Sequence, residues 1–313
     1  MSAAVEKIHD TMQCCANCGT TESDDIKLKK CTACHLVKYC SVKCQREHRS
    51  KHKKECKKRA AELKDEILFK QPESSHLGDC PICCLPLPID PSIKSTFFLC
   101  CGKFICTGCG YANGKRERAE RLLHRCPFCR HPAPNTGEES NELLLKRIEV
   151  NDPVALCQMG IGRFSQGDFA AAFEYLSKAA SLGDATAHHQ LSVMYAEGKG
   201  VEKDKKKEFH HLTEAAIGGH PMARHGLGCV EGANRHLERA VKHFIIAANL
   251  GCDDSLNALK TLYRDGLLSK DDFSAALRGY QTAIEATKSP QRDEAVAFAE
   301  RIEERKRKMD LMK

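Results

Sequence analysis

The chain has 313 residues, a net charge of +7, 20 cysteines and no tryptophan. That length predicts two or three domains. A content of 42% hydrophobic and 29% charged residues excludes a disordered tail. No run of about 18 apolar residues occurs, so no membrane span is expected. The first residues carry no apolar signal core, so an intracellular location, cytoplasmic and/or nuclear, is expected. A reducing compartment favours metal ligation over disulfides.

Seventeen cysteines lie between Cys14 and Cys129, and only Cys157, Cys229 and Cys252 follow. The front is therefore cysteine-rich with few large side chains, a composition that needs metal staples. Its first cluster contains four ligand pairs, Cys15/Cys18, Cys31/Cys34, Cys40/Cys44 and His52/Cys56. The C-x2-C turns place two thiolates on one side of a tight loop. The x3 spacings place both ligands on one face of a helical turn. Eight ligands predict two tetrahedral zinc sites, one of four cysteines and one of three cysteines and a histidine. Both are fully coordinated by protein, which argues against catalytic zinc. Cys14 lacks the x2 spacing to Cys18 and is expected to be a bystander. His35 and His48 are not expected to be ligands.

The stretch Tyr39-Cys40-Ser41, Cys44-Gln45, His48, His52-Lys53 and Cys56 resembles a MYND zinc finger, over about residues 15–56. The resemblance implies Cys15, Cys18, Cys40 and Cys44 on one zinc, and Cys31, Cys34, His52 and Cys56 on the other. It also implies a peptide-binding module, often for proline-rich ligands. Arg49 departs from the family, which often has tryptophan there.

Residues 57–79 continue as helix and then loosen. The next pairs are Cys80/Cys83, Cys106/Cys109 and Cys126/Cys129, with Cys100 and Cys101 between the first two. Cys84 falls outside the spacing. The phrases CPIC at 80–83 and CPFCR at 126–130 resemble a RING finger. The resemblance implies cross-braced zinc sites, with Cys80, Cys83, Cys106 and Cys109 on one ion and Cys126 and Cys129 on the other. Lys103 stands at the family's usual histidine position and is no ligand. The remaining donors are either Cys100 and Cys101 together, which we favour, or one of them with His124. The second site holds its own zinc only if this set is complete. By the same resemblance, Ile82 and Pro127 would contact a ubiquitin-conjugating enzyme. Arg130 would be the linchpin arginine that holds the thioester-linked ubiquitin. The segment 111–125 lacks the aromatic usual before the last pair.

Residues 131–141 are polar and rich in Pro and Gly, a boundary. Ser140 is expected to cap the helix that follows. Beyond it, Lys178-Ala-Ala-Ser-Leu-Gly183, Glu214-Ala-Ala-Ile-Gly-Gly219 and Ile246-Ala-Ala-Asn-Leu-Gly251 repeat, their glycines 36 and 32 residues apart. A degenerate copy occurs at Tyr280 and Ala283. Alanine and leucine at i, i+3 and i+4 predict paired helices. Asp152-Pro153 suits a helix start, and the glycines suit helix ends. The loop Tyr195-x-x-Gly198-x-Gly200-Val201-x-x-Asp204 resembles SEL-one-like repeats, a tetratricopeptide-related α-solenoid family that implies protein binding. His188/His189 and His210/His211 are adjacent pairs that do not share a face, and neither is read as a metal site. Cys157, Cys229 and Cys252 are expected to be small buried hydrophobes.

The expected fold class is multidomain: two small zinc-stabilised modules, treble-clef-like and cross-braced, followed by an all-α helical-repeat solenoid. Expected boundaries are 12–58, 78–132 and 151–290, with linkers at 59–77 and 133–150 and a charged helix at 291–313. The expected function is a RING-type ubiquitin ligase whose repeats and MYND finger bind protein substrates. The alternative is a non-catalytic adaptor. Between Ser41 and Lys64 ten Lys/Arg face three Asp/Glu, but aromatic stacking partners are missing, so nucleic acid is not an expected partner.

Overall fold

The computed structural model describes residues 14–89 and 95–311. The chain divides into two compact units, Met1–Lys70 and Gln71–Lys313. None of the described helices is long and apolar enough to cross a membrane.

In the first unit, β1 (Lys29–Lys30) pairs antiparallel with β2 (Lys38–Tyr39), with Lys29 opposite Tyr39. Each C-x2-C turn closes on a backbone bond: Gly19 N–H donates to Cys15 and His35 N–H to Cys31. Helix α1 (Val42–Leu68) starts at Ser41, whose hydroxyl accepts from Cys44 N–H. The core here is Leu28 and Tyr39 with Cys15, Cys31 and Cys34. A core built mostly of cysteines cannot carry a fold by apolar burial alone, which is why metal ligation matters here.

The second unit begins with a hairpin, β3 (Ser95–Phe98) and β4 (Lys103–Cys106), in which Ser95 faces Cys106. Helix α2 (Thr107–Ala119) follows at once. Its turn is tied by the Cys106 sulfur, which accepts from Cys109 N–H.

Helix α3 (Gly137–Glu149) starts three residues earlier than its expected cap. Ser140 is not the cap but lies inside the first turn, where its hydroxyl donates to the Thr136 carbonyl. Thr136 caps instead. Its hydroxyl accepts from Glu139 N–H, while Glu139 accepts from Asn135 N–H. Together these two bonds outcompete a lone serine further along.

The repeats run as α4 (Pro153–Ser165), α5 (Phe169–Ser181), α6 (Ala185–Glu197), α7 (Lys205–Ile217), α8 (Pro221–Ala233), α9 (Leu237–Ala248), α10 (Asp253–Arg264) and α11 (Lys270–Ala286). Helices pair within each unit, α4 with α5, α6 with α7 and α8 with α9, and each pair stacks on the next. Asp152 caps α4 by accepting from Val154 and Ala155 N–H, with Pro153 at the first helical position. Small residues set the close approach. A Cβ on Gly160 would meet Leu176 at 2.7 Å, and one on Gly228 would meet Phe244 at 2.5 Å. The stripe Leu156, Leu176, Ala179, Ala187, Leu191 and Met194 is buried as the periodicity predicts.

Cys157 and Cys252 are buried, but Cys229 is exposed, against expectation. It sits one turn beyond His225 on the open side of α8, with its sulfur 3.5 Å from His225 Nε2. The adjacent histidines are split between neighbours. His188 meets His211 of α7, and His189 stacks on His220 with ring centroids 4.4 Å apart.

The last helix, α12 (Pro290–Leu311), packs on α2. Arg292, only 3% exposed, donates to the carbonyls of Pro86 at 2.7 Å, Thr287 at 2.6 Å and Leu85 at 3.3 Å. Lys115 pairs with Glu294 at 2.7 Å, and Tyr111 packs on Phe298. The first turns of α12 thus pack on α2, while residues 301–309 are exposed, as a charged helix end should be.

Candidate metal centres and interaction surfaces

Four clusters gather one donor atom from each of four residues, with the atoms of each cluster within 4.8 Å of one another. They are Cys15/Cys18/Cys40/Cys44, Cys31/Cys34/His52/Cys56, Cys80/Cys83/Cys106/Cys109 and Cys100/Cys101/Cys126/Cys129. In both fingers the first pair along the chain joins the third and the second joins the fourth, counting Cys100/Cys101 as a pair.

The donor sets fit zinc. Tetrahedral thiolates about 2.3 Å from a zinc ion stand about 3.8 Å apart. The sulfurs of Cys31 and Cys56, of Cys83 and Cys106, and of Cys101 and Cys126 are each 3.8 Å apart. Cys18 and Cys40 are 3.5 Å apart, and Cys34 lies 3.1 Å from His52 Nε2. All described cysteines are free of disulfides.

Protonation within each set is divided. Burial acts to raise the Cys15 thiol, but backbone N–H groups of Cys18, Cys40 and Asn17 outweigh it and bring it down to about 6. The neighbouring sulfurs of Cys18 and Cys44 push Cys40 up to about 12. Crowded thiols of this kind ionise together only around a cation, so metal binding releases protons.

Cys14 and Cys84 stand outside every cluster, as the spacing predicted. So does His124. Its Nδ1 lies 2.8 Å from Glu117 rather than beside the thiols. The donors that come together here are those of Cys100, Cys101, Cys126 and Cys129, and His124 is not among them. His48 bonds through Nδ1 with the Tyr39 hydroxyl at 3.1 Å and stacks on His52.

A buried polar network joins Asn113, Glu117 and the backbone of Arg125. Glu117, 4% exposed, accepts from Asn113 Nδ2 at 2.8 Å and from Arg125 N–H at 3.1 Å, besides its contact with His124. Burial acts to raise its carboxyl, but these bonds outweigh burial and hold it below the ordinary range. Arg130 donates through Nη1 to Asn113 Oδ1 at 2.9 Å, so it is tied to this network. Ile82 is 41% exposed, Phe128 45%, and Pro127 half-buried. Phe128, the central residue of CPFCR, is exposed as well.

Comparisons with known proteins agree with the first finger and the repeats. Residues 15–56 match the model of the MYND finger. Residues 155–184, 185–220 and 222–252 each match the Sel1 repeat. These stretches are a MYND finger and three Sel1 repeats.

The chain is 24% identical over 196 residues to mouse DAP3-binding cell death enhancer 1, covering 50% of this chain and 38% of the relative. It is 28% identical over 188 residues to an uncharacterized protein of Neisseria meningitidis, covering 46% and 39%. The chain thus spans about two fifths of the length of these relatives. Among solved structures, a Sel1 repeat protein from Oxalobacter formigenes is 29% identical with a TM-score of 0.41, covering 47% of this chain and 64% of that one. The protective antigen c5321 of uropathogenic Escherichia coli, which has an SLR fold, is 21% identical with a TM-score of 0.38, covering 62% and 40%. A MYND finger joined to Sel1 repeats supports a role in protein–protein interaction.

Proposed function

We propose that the second finger is RING-type and recruits a charged ubiquitin-conjugating enzyme, while the MYND finger and the repeats bind protein substrates. The carrying observation is the interleaving of its pairs, Cys80/Cys83 with Cys106/Cys109 and Cys100/Cys101 with Cys126/Cys129. A cross-braced finger holds its two ligand loops side by side, and here each loop exposes an apolar side chain, Ile82 and Phe128. In this reading each finger binds two zinc ions. Ile82 and Pro127 contact the conjugating enzyme, and Arg130 reaches ubiquitin. The zinc ions shape the finger; they take no part in transfer. A relative named for binding another protein supports protein binding as the role of the remainder.

One observation favours the alternative, a non-catalytic adaptor. Arg130 is engaged with Asn113, so a linchpin role requires it to exchange that partner for ubiquitin.

Discharge of ubiquitin from a panel of charged conjugating enzymes decides between the two. Stimulation by the zinc-loaded chain, lost in Arg130→Ala and in Ile82→Ala, is the result expected of a ligase. No stimulation across the panel, with fold and zinc content intact, leaves the adaptor.

A further inference from the structure

The MYND finger has a groove of about 440 Å³ along the start of α1. Tyr39 and Val42 contribute apolar surface to it, and Arg46, Arg49, Lys53 and Lys57 line it together. Among the described residues, no acidic one lines the groove. Spacings of three and four place the four cations on one side of the helix. The acids of the same stretch lie elsewhere. Glu47 accepts from Asn17 Nδ2 at 2.8 Å, and Glu55 falls on the opposite side at about 100° per residue.

All four cations are exposed, and among the described residues no ion pair neutralises any of them. Like charges at i and i+4, such as Arg49 with Lys53 and Lys53 with Lys57, oppose helix formation. An anionic partner would relieve this mutual repulsion. Val42, 63% exposed at the groove, offers an apolar contact amid the charge.

We propose that this groove takes an extended acidic peptide, with an apolar side chain against Val42 and carboxylates facing Arg46, Arg49, Lys53 and Lys57. The proposal rests on reading the MYND finger as a peptide-binding module, and it names the peptide class. From Arg46 to Lys57 the stripe rises about 16 Å, the length of about five extended residues. Arg49 stands where the family often has tryptophan. An aromatic face suits proline, whereas a guanidinium suits a carboxylate, which it can grip with two bonds. Single-stranded nucleic acid fits less well. It needs an open aromatic face for its bases, and Tyr39 is only 3% exposed.

The test uses the full zinc-loaded chain and three fluorescein-labelled probes in an anisotropy titration. They are the octapeptide Asp-Glu-Leu-Asp-Leu-Glu-Asp-Asp, a neutral proline-rich octapeptide and a single-stranded DNA octamer. The acidic peptide binds about tenfold or more tighter than either other probe. Arg49→Glu and Lys53→Glu each weaken it by about tenfold with zinc content unchanged. Arg49→Trp moves the preference toward the proline-rich probe. Tighter binding of the proline-rich probe by the unaltered chain overturns the acidic class and keeps the peptide-binding reading. Failure of both peptides overturns that reading as well. Tightest binding of the DNA octamer replaces both with a nucleic-acid surface.

Discussion

The MYND finger draws its core, its caps and its ligand pairs from one short stretch, residues 15–56. The second finger has the same number of candidate ligands but a different support. Arg292, 209 residues beyond Cys83, reaches into its first ligand loop and lies 3.5 Å from the Cys83 sulfur. A Cβ on Gly108 would meet Arg292 at 2.8 Å, so α2 and α12 are fitted to each other there. The contrast teaches that the first finger is held by ligands, core and cap from its own short stretch, whereas the second also depends on the far end of the chain. Events on α12 are therefore felt in the second finger.

Removing the Arg292 guanidinium is the strongest way to break this contrast. Arg292→Ala strips a charged donor from the carbonyls of Leu85, Pro86 and Thr287 and leaves them buried. The expected cost is about 2–4 kcal/mol. Amide exchange should rise across residues 78–132 and stay unchanged across 14–70. Arg292→Lys should rescue little, because an ammonium cannot span the same carbonyls. Equal exchange in both fingers would sink the contrast.

The polar network in the second finger comes next. Glu117→Ala leaves Asn113 and the Arg125 N–H without their acceptor, at an expected cost of about 1–3 kcal/mol. A urea titration followed through the second finger should shift its midpoint downward. An unchanged midpoint would mean that solvent replaces the carboxylate at no loss.

A pH-dependent effect concerns the base of the repeats. His76 donates its backbone N–H to Gly219 and stacks on His220 at 4.2 Å. Burial holds His76 down to about 4, His220 well below its ordinary value, and His189 below it too. These groups fold neutral, while the unfolded chain takes up protons near pH 6.5. Their contribution is whole above about pH 6.5 and is lost as pH falls through the interval toward about 4, His76 alone accounting for about 3 kcal/mol. Protection of residues 185–220, corrected for the intrinsic exchange rate, should fall between pH 7.5 and 5.5. His76→Phe should flatten that dependence, and an identical slope in the variant would contradict this account.

The MYND ligand pairs were legible from spacing, and the resemblance to the MYND family implied how the pairs interleave. Knuckles and i, i+4 pairs are local, and the clusters only had to interleave. The repeat was legible for a similar reason, since the alanine and glycine positions recur with the period of the helix pair. Ser140 misled because Thr136, four residues earlier, caps the helix with support from Glu139. Cys229 misled because cysteine is usually buried, yet its place on α8 faces outward. The Asn113–Glu117–Arg130 network and the reach of Arg292 had no local signature. Each depends on partners brought together only by the tertiary fold. The basic stripe on α1 was visible as composition, but its coincidence with an apolar groove was not.

Counting metal by native mass spectrometry tests the central claim most directly, that the second finger is a cross-braced site for two ions. The unaltered chain should carry four zinc ions, Cys101→Ser and Cys34→Ser three each, and Cys84→Ser four. Three ions in the unaltered chain, unchanged by Cys101→Ser, would contradict the claim and leave the Cys100/Cys101/Cys126/Cys129 cluster without a metal.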